Sequence, residues 1–459
     1  MIFEKILNYH YLNKNYKKVP ITLNFLKFLF YIFPAFIFAS SGYLNAYIFF
    51  FVSYSLFFFY LNKIKINITI LDYLIILFFI SCTISSLLNF NQIEKFNIGG
   101  KEFNLEISAF TKSIFNFRFL LLFIMIKNIL DKKLINIKVL SVISLICTVL
   151  LSFDIFLQHL NGFDIFNNTP FDGRYNGFFE HEAIAGGYLQ KFFLISIILF
   201  FVLKKNFFFQ FIMIIFFINI LGLGILLSLD RMPYLIFFFS TFILLLILKN
   251  YRIQLFISLI LTIFLFQNFF NNYNIVKNRY LSLAGELELV KITKFFKKNI
   301  SEESTSPKKN SKENDNLRGD YLKIYNASFQ VFLKNPFFGT GLKSFLYECK
   351  KLQNNNKDKS FTCSTHPHNI YLEILVNQGI LGLLLFLSFI VILINNNYLK
   401  IIFSQITIKN KILSIFFFTI LISELIPLRS YGSIFQTVNG SIFWFFLSII
   451  SSRIHTTNK

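Results

Sequence analysis

The stretch "HPHNIYLEILVNQGILGLLLFLSFIVILIN", residues 366–395, decides the fold. Two histidines and an asparagine lead into an apolar run that carries a single formal charge, Glu373. A helix needs about 20 predominantly apolar residues to cross roughly 30 Å of hydrocarbon, and residues 369–395 meet that length. Similar runs recur over 22–40, 44–61, 68–89, 108–130, 137–160, 183–203, 206–228, 232–248, 252–270, 411–427 and 432–450. The expectation is an all-α, polytopic integral membrane protein with about 12 transmembrane helices.

Composition agrees. Hydrophobic residues make up 55% of the 459 residues and charged residues only 15%, where a soluble domain would carry about a quarter charged. The net charge of +22 could suggest nucleic acid. No nucleic-acid-binding motif accompanies it, so the charge is read as cytoplasmic loops and headgroup contacts, with no nucleic-acid partner. The first twenty residues are polar and basic, without a small-residue cleavage site, so no cleavable signal peptide is expected.

Positive residues orient the spans. With both termini inside, the inner loops carry Lys63, Lys65, Lys132, Lys133, Lys204, Lys205 and Lys249, whereas the short outer loops carry few, among them Arg174, Arg231 and Arg429. The chain then divides into helices 1–9 over residues 1–270, a large outer loop over 271–367, and helices 10–12 over 368–459. A long loop is commonly functional or disordered. Residues 297–317 are polar and charged and read as a disordered insert. Beyond them, Tyr321, Ile324, Tyr325, Phe329 and Phe332 fall near helical spacing and "KNP" ends the run. That predicts a helix of about fifteen residues lying over the outer membrane face.

Few residues are candidates for chemistry. His366 and His368 stand at the mouth of span ten. A histidine there can be a plain interface anchor, but a neutral imidazole can also accept a proton from a hydroxyl near pH 7. Gly379 and Gly382 read as helical glycines that allow close approach of another helix. Arg174, Arg231 and Arg318 face outward, where arginine is uncommon. Each can be an ion-pair partner, of Asp230 or Asp320 for instance, or a phosphate ligand, because a guanidinium matches phosphate oxygens bidentately. Glu180, His181 and Glu182 form an outer cluster that would need His366 and His368 from another loop to hold a metal, and no metal site is expected. "NPFFGTG" lacks the context of a nucleotide-binding loop and reads as a tight turn. Cys349 and Cys363 flank a polar stretch and form a possible disulfide if the outside is oxidising, whereas Cys82 and Cys147 lie inside spans.

In this set and order the chain resembles the O-antigen ligase and polymerase superfamily of bacterial envelope proteins. His368-Asn369, nine residues, Gly379, two residues and Gly382 fit the ligase signature. "RGDYLKIYNASFQVFLKNPFFGTGLKSF" (318–345) is similar to the family's arginine-plus-helix segment, and "SLDRMPYL" (228–235) to its Ser-Arg turn, though here an Asp replaces the usual neighbour. The ligase-like region covers about residues 170–395. The resemblance implies a membrane glycosyltransferase that moves a glycan from undecaprenyl diphosphate to a lipid A–core hydroxyl, at the periplasmic face of the bacterial inner membrane. It implies His368 as the catalytic residue with His366 a possible helper, Arg231, Arg318 and Arg174 at the diphosphate or substrate, and neither metal nor cofactor. A polymerase of the same superfamily, with a growing glycan as acceptor, and a protein O-oligosaccharyltransferase use similar residues. A lipid-glycan transporter would instead place charges or broken helices at mid-membrane, where the sequence suggests few.

Overall fold

The computed structural model describes residues 20–89, 96–98, 101–103, 105–180, 182–202, 207–286, 320–356, 362–403, 407–427, 429–430 and 432–452. Arg318, His181 and the insert 297–317 lie outside the described residues. Among the described residues the fold is an all-helical polytopic bundle with a short two-stranded hairpin, β1 (Phe96–Ile98) and β2 (Lys101–Phe103).

In chain order the helices are α1 (Pro20–Tyr31), α2 (Ser41–Leu61), α3 (Ile70–Leu88), α4 (Leu105–Asp131), α5 (Ile137–Asn161), α6 (Ala185–Val202), α7 (Phe207–Leu227), α8 (Arg231–Ile247), α9 (Arg252–Asn272), α10 (Asn274–Glu286), α11 (Asp320–Lys334), α12 (Phe345–Asn356), α13 (Ile370–Phe403), α14 (Ile408–Glu424) and α15 (Thr437–Ser451). Each apolar run of the sequence has its helix. Among the described residues, eight are long and apolar enough to cross a membrane: α2 to α7, α9 and α13. The other four runs correspond to shorter helices, so the structure supports a multi-pass protein without fixing the number at twelve. The first run is interrupted for a simple reason. Pro34 has no N–H to continue the ladder, and the chain re-forms a short turn at Phe33–Phe36.

The phenylalanine-rich spans interlock through aromatic contacts. The Trp444 ring of α15 is fully buried, 4.9 Å from Phe79 of α3 and 6.2 Å from Phe123 of α4, centroid to centroid. These tilted and edge-on geometries suit ring quadrupoles. At one end of the bundle Asp72 closes a capping box with Thr69 at the start of α3 and pairs with Lys127 of α4, both buried. Removing one partner of such a pair costs about 3–5 kcal/mol, because the other charge stays buried alone.

The opposite end carries the loops. The fifteen-residue helix expected from the tyrosine spacing is α11. Two further helices of the long loop, α10 and α12, escaped the sequence reading. Ile324, Ala327 and Val331 of α11, Phe345 and Cys349 of α12, and Val376 of α13 form a small second core. Cys349 and Cys363 are joined in a disulfide, with Cα atoms 5.7 Å apart, which ties α12 to the segment just before the histidines.

Candidate active site

His368 sits in the turn that starts α13. Its backbone is left-handed, with φ +55°, a conformation that costs an L-residue about 1–2 kcal/mol. Asn369 holds the turn in place. Its Oδ1 accepts from the N–H groups of Tyr371 and Leu372 at 3.0 and 3.2 Å, and its Nδ2 donates to the Pro427 carbonyl at 2.5 Å. Asn369 is therefore an N-cap that also fastens α13 to the loop after α14. The Tyr371 hydroxyl adds a second fastening, to the Leu425 carbonyl at 2.6 Å.

The imidazole of His368 is half-buried. Its Nε2 lies 3.0 Å from the Ser364 hydroxyl. The His366 ring lies tilted against it at 4.0 Å, and the Tyr321 ring of α11 meets it edge-on at 5.6 Å. Burial, then His366 and Arg174, pull the His368 pKa down to about 4. The ring is thus neutral at pH 7 and able to accept a proton.

Gly379 does something the sequence reading did not foresee. It is not a helical packing glycine: α13 opens at this residue, with φ +65° and ψ −162°. The loop Pro336–Gly341 enters the opening. Thr340 and Gly341 N–H groups donate to the Val376 and Asn377 carbonyls at 2.7 and 3.1 Å. Ile380 and Leu381 N–H groups donate back to the Pro336 and Phe337 carbonyls at 2.8 and 3.4 Å. Two carbonyls and two N–H groups freed by the break are thus satisfied by the loop's peptide groups. A Cβ on Gly379 would overlap the Phe337 carbonyl, and one on Gly339 would meet the Gln378 amide nitrogen at 2.5 Å. Gly382 makes room for the Gln378 side chain of its own helix, which accepts from Ser81 of α3 at 2.7 Å. The spacing of the two glycines reflects an inserted loop and a buried amide rather than a groove for a neighbouring helix.

Arg174 is aimed by a two-residue hairpin. Phe171 and Arg174 exchange backbone hydrogen bonds around Asp172-Gly173, both at positive φ, the turn that Asp-Gly favours. Its guanidinium Nη1 reaches Asp230 Oδ1 at 2.9 Å, and Asp172 lies 3.7 Å from Nη2. Asp230 stands at the N-cap position of α8 without a side-chain cap bond, and its second oxygen accepts from the Gly186 N–H of α6 at 3.1 Å. Burial pushes the Asp230 carboxyl up while Arg174 pulls it down. Arg279 of α10 joins the same group. Burial, and then the neighbouring charges of Arg174 and Arg231, lower its pKa. Arg174 and Arg279, from the loop after α5 and the long outer loop, thus both act on one buried carboxylate, and Arg231 at the start of α8 acts on Arg279. Arg174 also lies near enough to His368 to act on its charge.

Residues 214–387 match the family model for O-antigen ligase. The match supports the O-antigen ligase superfamily. No curated protein matches the chain. The matched stretch runs from α7 through α8, α10, α11 and the first part of α13, so it takes in Arg231, Arg279, Tyr321 and His368. Arg174 lies before it and is brought to it by the fold. The O-antigen ligase match supports a membrane transferase function of the ligase or polymerase type.

Of the residues expected from sequence, the structure brings Arg174, Arg231, His366 and His368 to one end of the bundle. Arg279 was missed because "NNYNIVKNRYLSLAGE" has no strong pattern of its own; an arginine in an outer loop was the available signal. A buried network under the site was missed as well. Arg429 pairs with Glu424 at 3.1 Å and donates to Gln190 of α6 at 2.8 Å. Lys191 donates to Asn439 at 3.2 Å, and Glu373 of α13 accepts from the Ile434 N–H at 3.3 Å. These contacts hold the loop between α14 and α15, whose Pro427 carbonyl anchors Asn369.

Proposed function

We propose that the protein transfers a glycan from undecaprenyl diphosphate to a hydroxyl of lipid A–core, at the periplasmic side of the bacterial inner membrane, with both termini cytoplasmic. The observation that carries this reading is a neutral, fixed imidazole at His368 within electrostatic reach of an arginine cluster. Glycan transfer from a diphosphate needs both. The acceptor oxygen forms a bond to the anomeric carbon, and the bond from that carbon to the diphosphate oxygen breaks. The hydroxyl proton passes to Nε2 of His368. The departing diphosphate keeps the electron pair, and its negative charge is met by Arg174, Arg231 and Arg279, fixed in place beforehand. Arg318, at the entrance to α11, is assigned to the same anion on the resemblance alone.

The donor's charge also corrects a weakness of the base. A histidine with a pKa near 4 is a poor proton acceptor. Burial is the main cause of the depression, followed by His366 and then Arg174; a bound diphosphate offsets the Arg174 part, so His368 regains some basicity when the donor arrives. The Asp230 carboxylate keeps Arg174 in position between turnovers.

The broken helix and the buried charges are also features of transporters. Here the carbonyls released at Val376 and Asn377 bind peptide N–H groups, and Glu424 binds Arg429. Those contacts favour a structural role for both features. The test is transfer in vitro by purified protein in vesicles, supplied with undecaprenyl-diphosphate-linked glycan and a core-only lipopolysaccharide. Glycan appearing on the core supports the ligase. Elongation of the lipid-linked glycan without transfer to core replaces it with the polymerase. Translocation of donor without any transfer overturns both.

A further inference from the structure

We infer that the Pro336–Gly341 loop is a re-entrant wedge, whose Phe337 and Phe338 side chains sit among the acyl chains of the bilayer. This rests on the span formed by α13 and not on the transfer reaction. Three observations lead to it.

The first is level. From Ile370 to Gly379 helix α13 advances about 14 Å at 1.5 Å per residue. The loop is bonded to α13 on both sides of Gly379, so it lies well along α13 from the turn that holds His368, beside the last turn of α3. The second is exposure. Phe337 is 70% exposed and Phe338 is exposed too, although both belong to a loop with a fixed backbone. Two exposed aromatic rings in succession are costly in water. The third is continuity. The α13 residues bonded to the loop, Ile380 and Leu381, turn exposed apolar side chains outward on a membrane span, as do Leu87 and Leu88 at the end of α3. Asn89, next to them, donates to the Gly339 carbonyl at 2.9 Å, and Ser86 accepts from the Leu342 N–H at 3.4 Å. The loop therefore fills the space between two lipid-facing helices and continues their apolar surface.

Non-helical backbone is tolerated at membrane depth only where protein satisfies its polar groups. The opening at Gly379 provides those partners, and Ser85 and Ser86 of α3, with Asn89 just after it, provide more. The apolar face of α11 that bears Phe329 and Leu333 leads from this wedge up toward Tyr321 and His368.

The experiment places a tryptophan at each ring in turn, Phe337→Trp and Phe338→Trp, in the full chain reconstituted in phosphatidylcholine vesicles. Trp444 is the single natural tryptophan, so the wild type supplies the background to subtract. Retention of the Cys349–Cys363 bridge, read by thiol alkylation, reports that the loop region is folded in each variant. The added emission is expected to shift to the blue, to lose most of its intensity when the acyl chains carry bromine, and to resist aqueous iodide. Red-shifted emission quenched by iodide at both positions would overturn the wedge in favour of an aqueous loop. Blue emission untouched by either quencher would also overturn it, by placing the rings against protein, such as a second copy of the chain.

Discussion

Arg174 Nη1 lies 2.9 Å from Asp230 Oδ1, and this contact joins the loop after α5 to the start of α8. Sequence reading offered Asp230 as one possible ion-pair partner of the outward arginines. The fold gives it to an arginine 56 positions earlier in the chain. The carboxylate also accepts from Gly186 N–H, so one buried side chain fixes three elements around the proposed diphosphate.

Asp230→Asn keeps the shape and removes the charge. Arg174 then loses its nearer charged partner, with Asp172 still 3.7 Å away, while the Gly186 contact can persist. We expect weaker retention of the donor, with KM rising about tenfold, the equivalent of one charge-assisted hydrogen bond. Donor titration in the transfer assay measures it. Asp230→Ala should do at least as much damage, and a donor KM unchanged in both variants would remove Asp230 from the account.

The depression of His368 fixes the sign of a pH effect. The acid limb of kcat/KM reports the donor-free protein and should fall below the ordinary histidine pKa of 6.5, toward about 4. The limb of kcat reports the donor-bound protein and should lie at higher pH, because the diphosphate offsets Arg174. Rate profiles between pH 4 and 8 separate the two. Coincident limbs near 6.5 would show a histidine that feels neither its burial nor the arginines.

Gly379→Ala tests the opened helix. Alanine at positive φ is strained, and its Cβ would overlap the Phe337 carbonyl. Together these should destabilise the protein by about 2–4 kcal/mol, seen as a lower melting temperature in detergent. Gly382→Ala should disturb the Gln378–Ser81 contact instead and cost less. Equal and small effects would argue that α13 runs unbroken.

The disulfide offers a milder test. Cys363→Ser opens the loop between Cys349 and Cys363, worth about 3 kcal/mol in the chain-entropy model. The loss falls on the small core around Val331 and Phe345 rather than on the spans. We expect a lower first unfolding transition with transfer activity largely kept at low temperature. Loss of activity without any change in unfolding would give the bridge a direct part in catalysis.

What could be read beforehand follows from physics that acts locally. Apolar runs report spans because hydrocarbon demands a minimum length, and the tyrosine spacing of α11 reports a helix because one face must be buried. The Asp-Gly turn before Arg174 is local, but the ion pair of Arg174 with Asp230, the broken α13 and the arginine cluster depend on contacts between distant segments. Gly379 illustrates the limit. In sequence it is a glycine in an apolar helix, and only the loop forty residues away, with its Phe337 carbonyl, shows why no Cβ fits. Arg279 and Lys191 were hidden for the same reason, since their neighbours come from other helices.

The most direct test of the central claim is the lipopolysaccharide profile of a strain that lacks this protein, complemented with wild type, His368→Ala or His368→Gln, at matched membrane levels. The account predicts that wild type restores the long-glycan ladder on the core. Both variants should leave the core bare while lipid-linked glycan accumulates. A full ladder from His368→Ala would contradict the account and return His368 to the role of an anchor at the membrane surface.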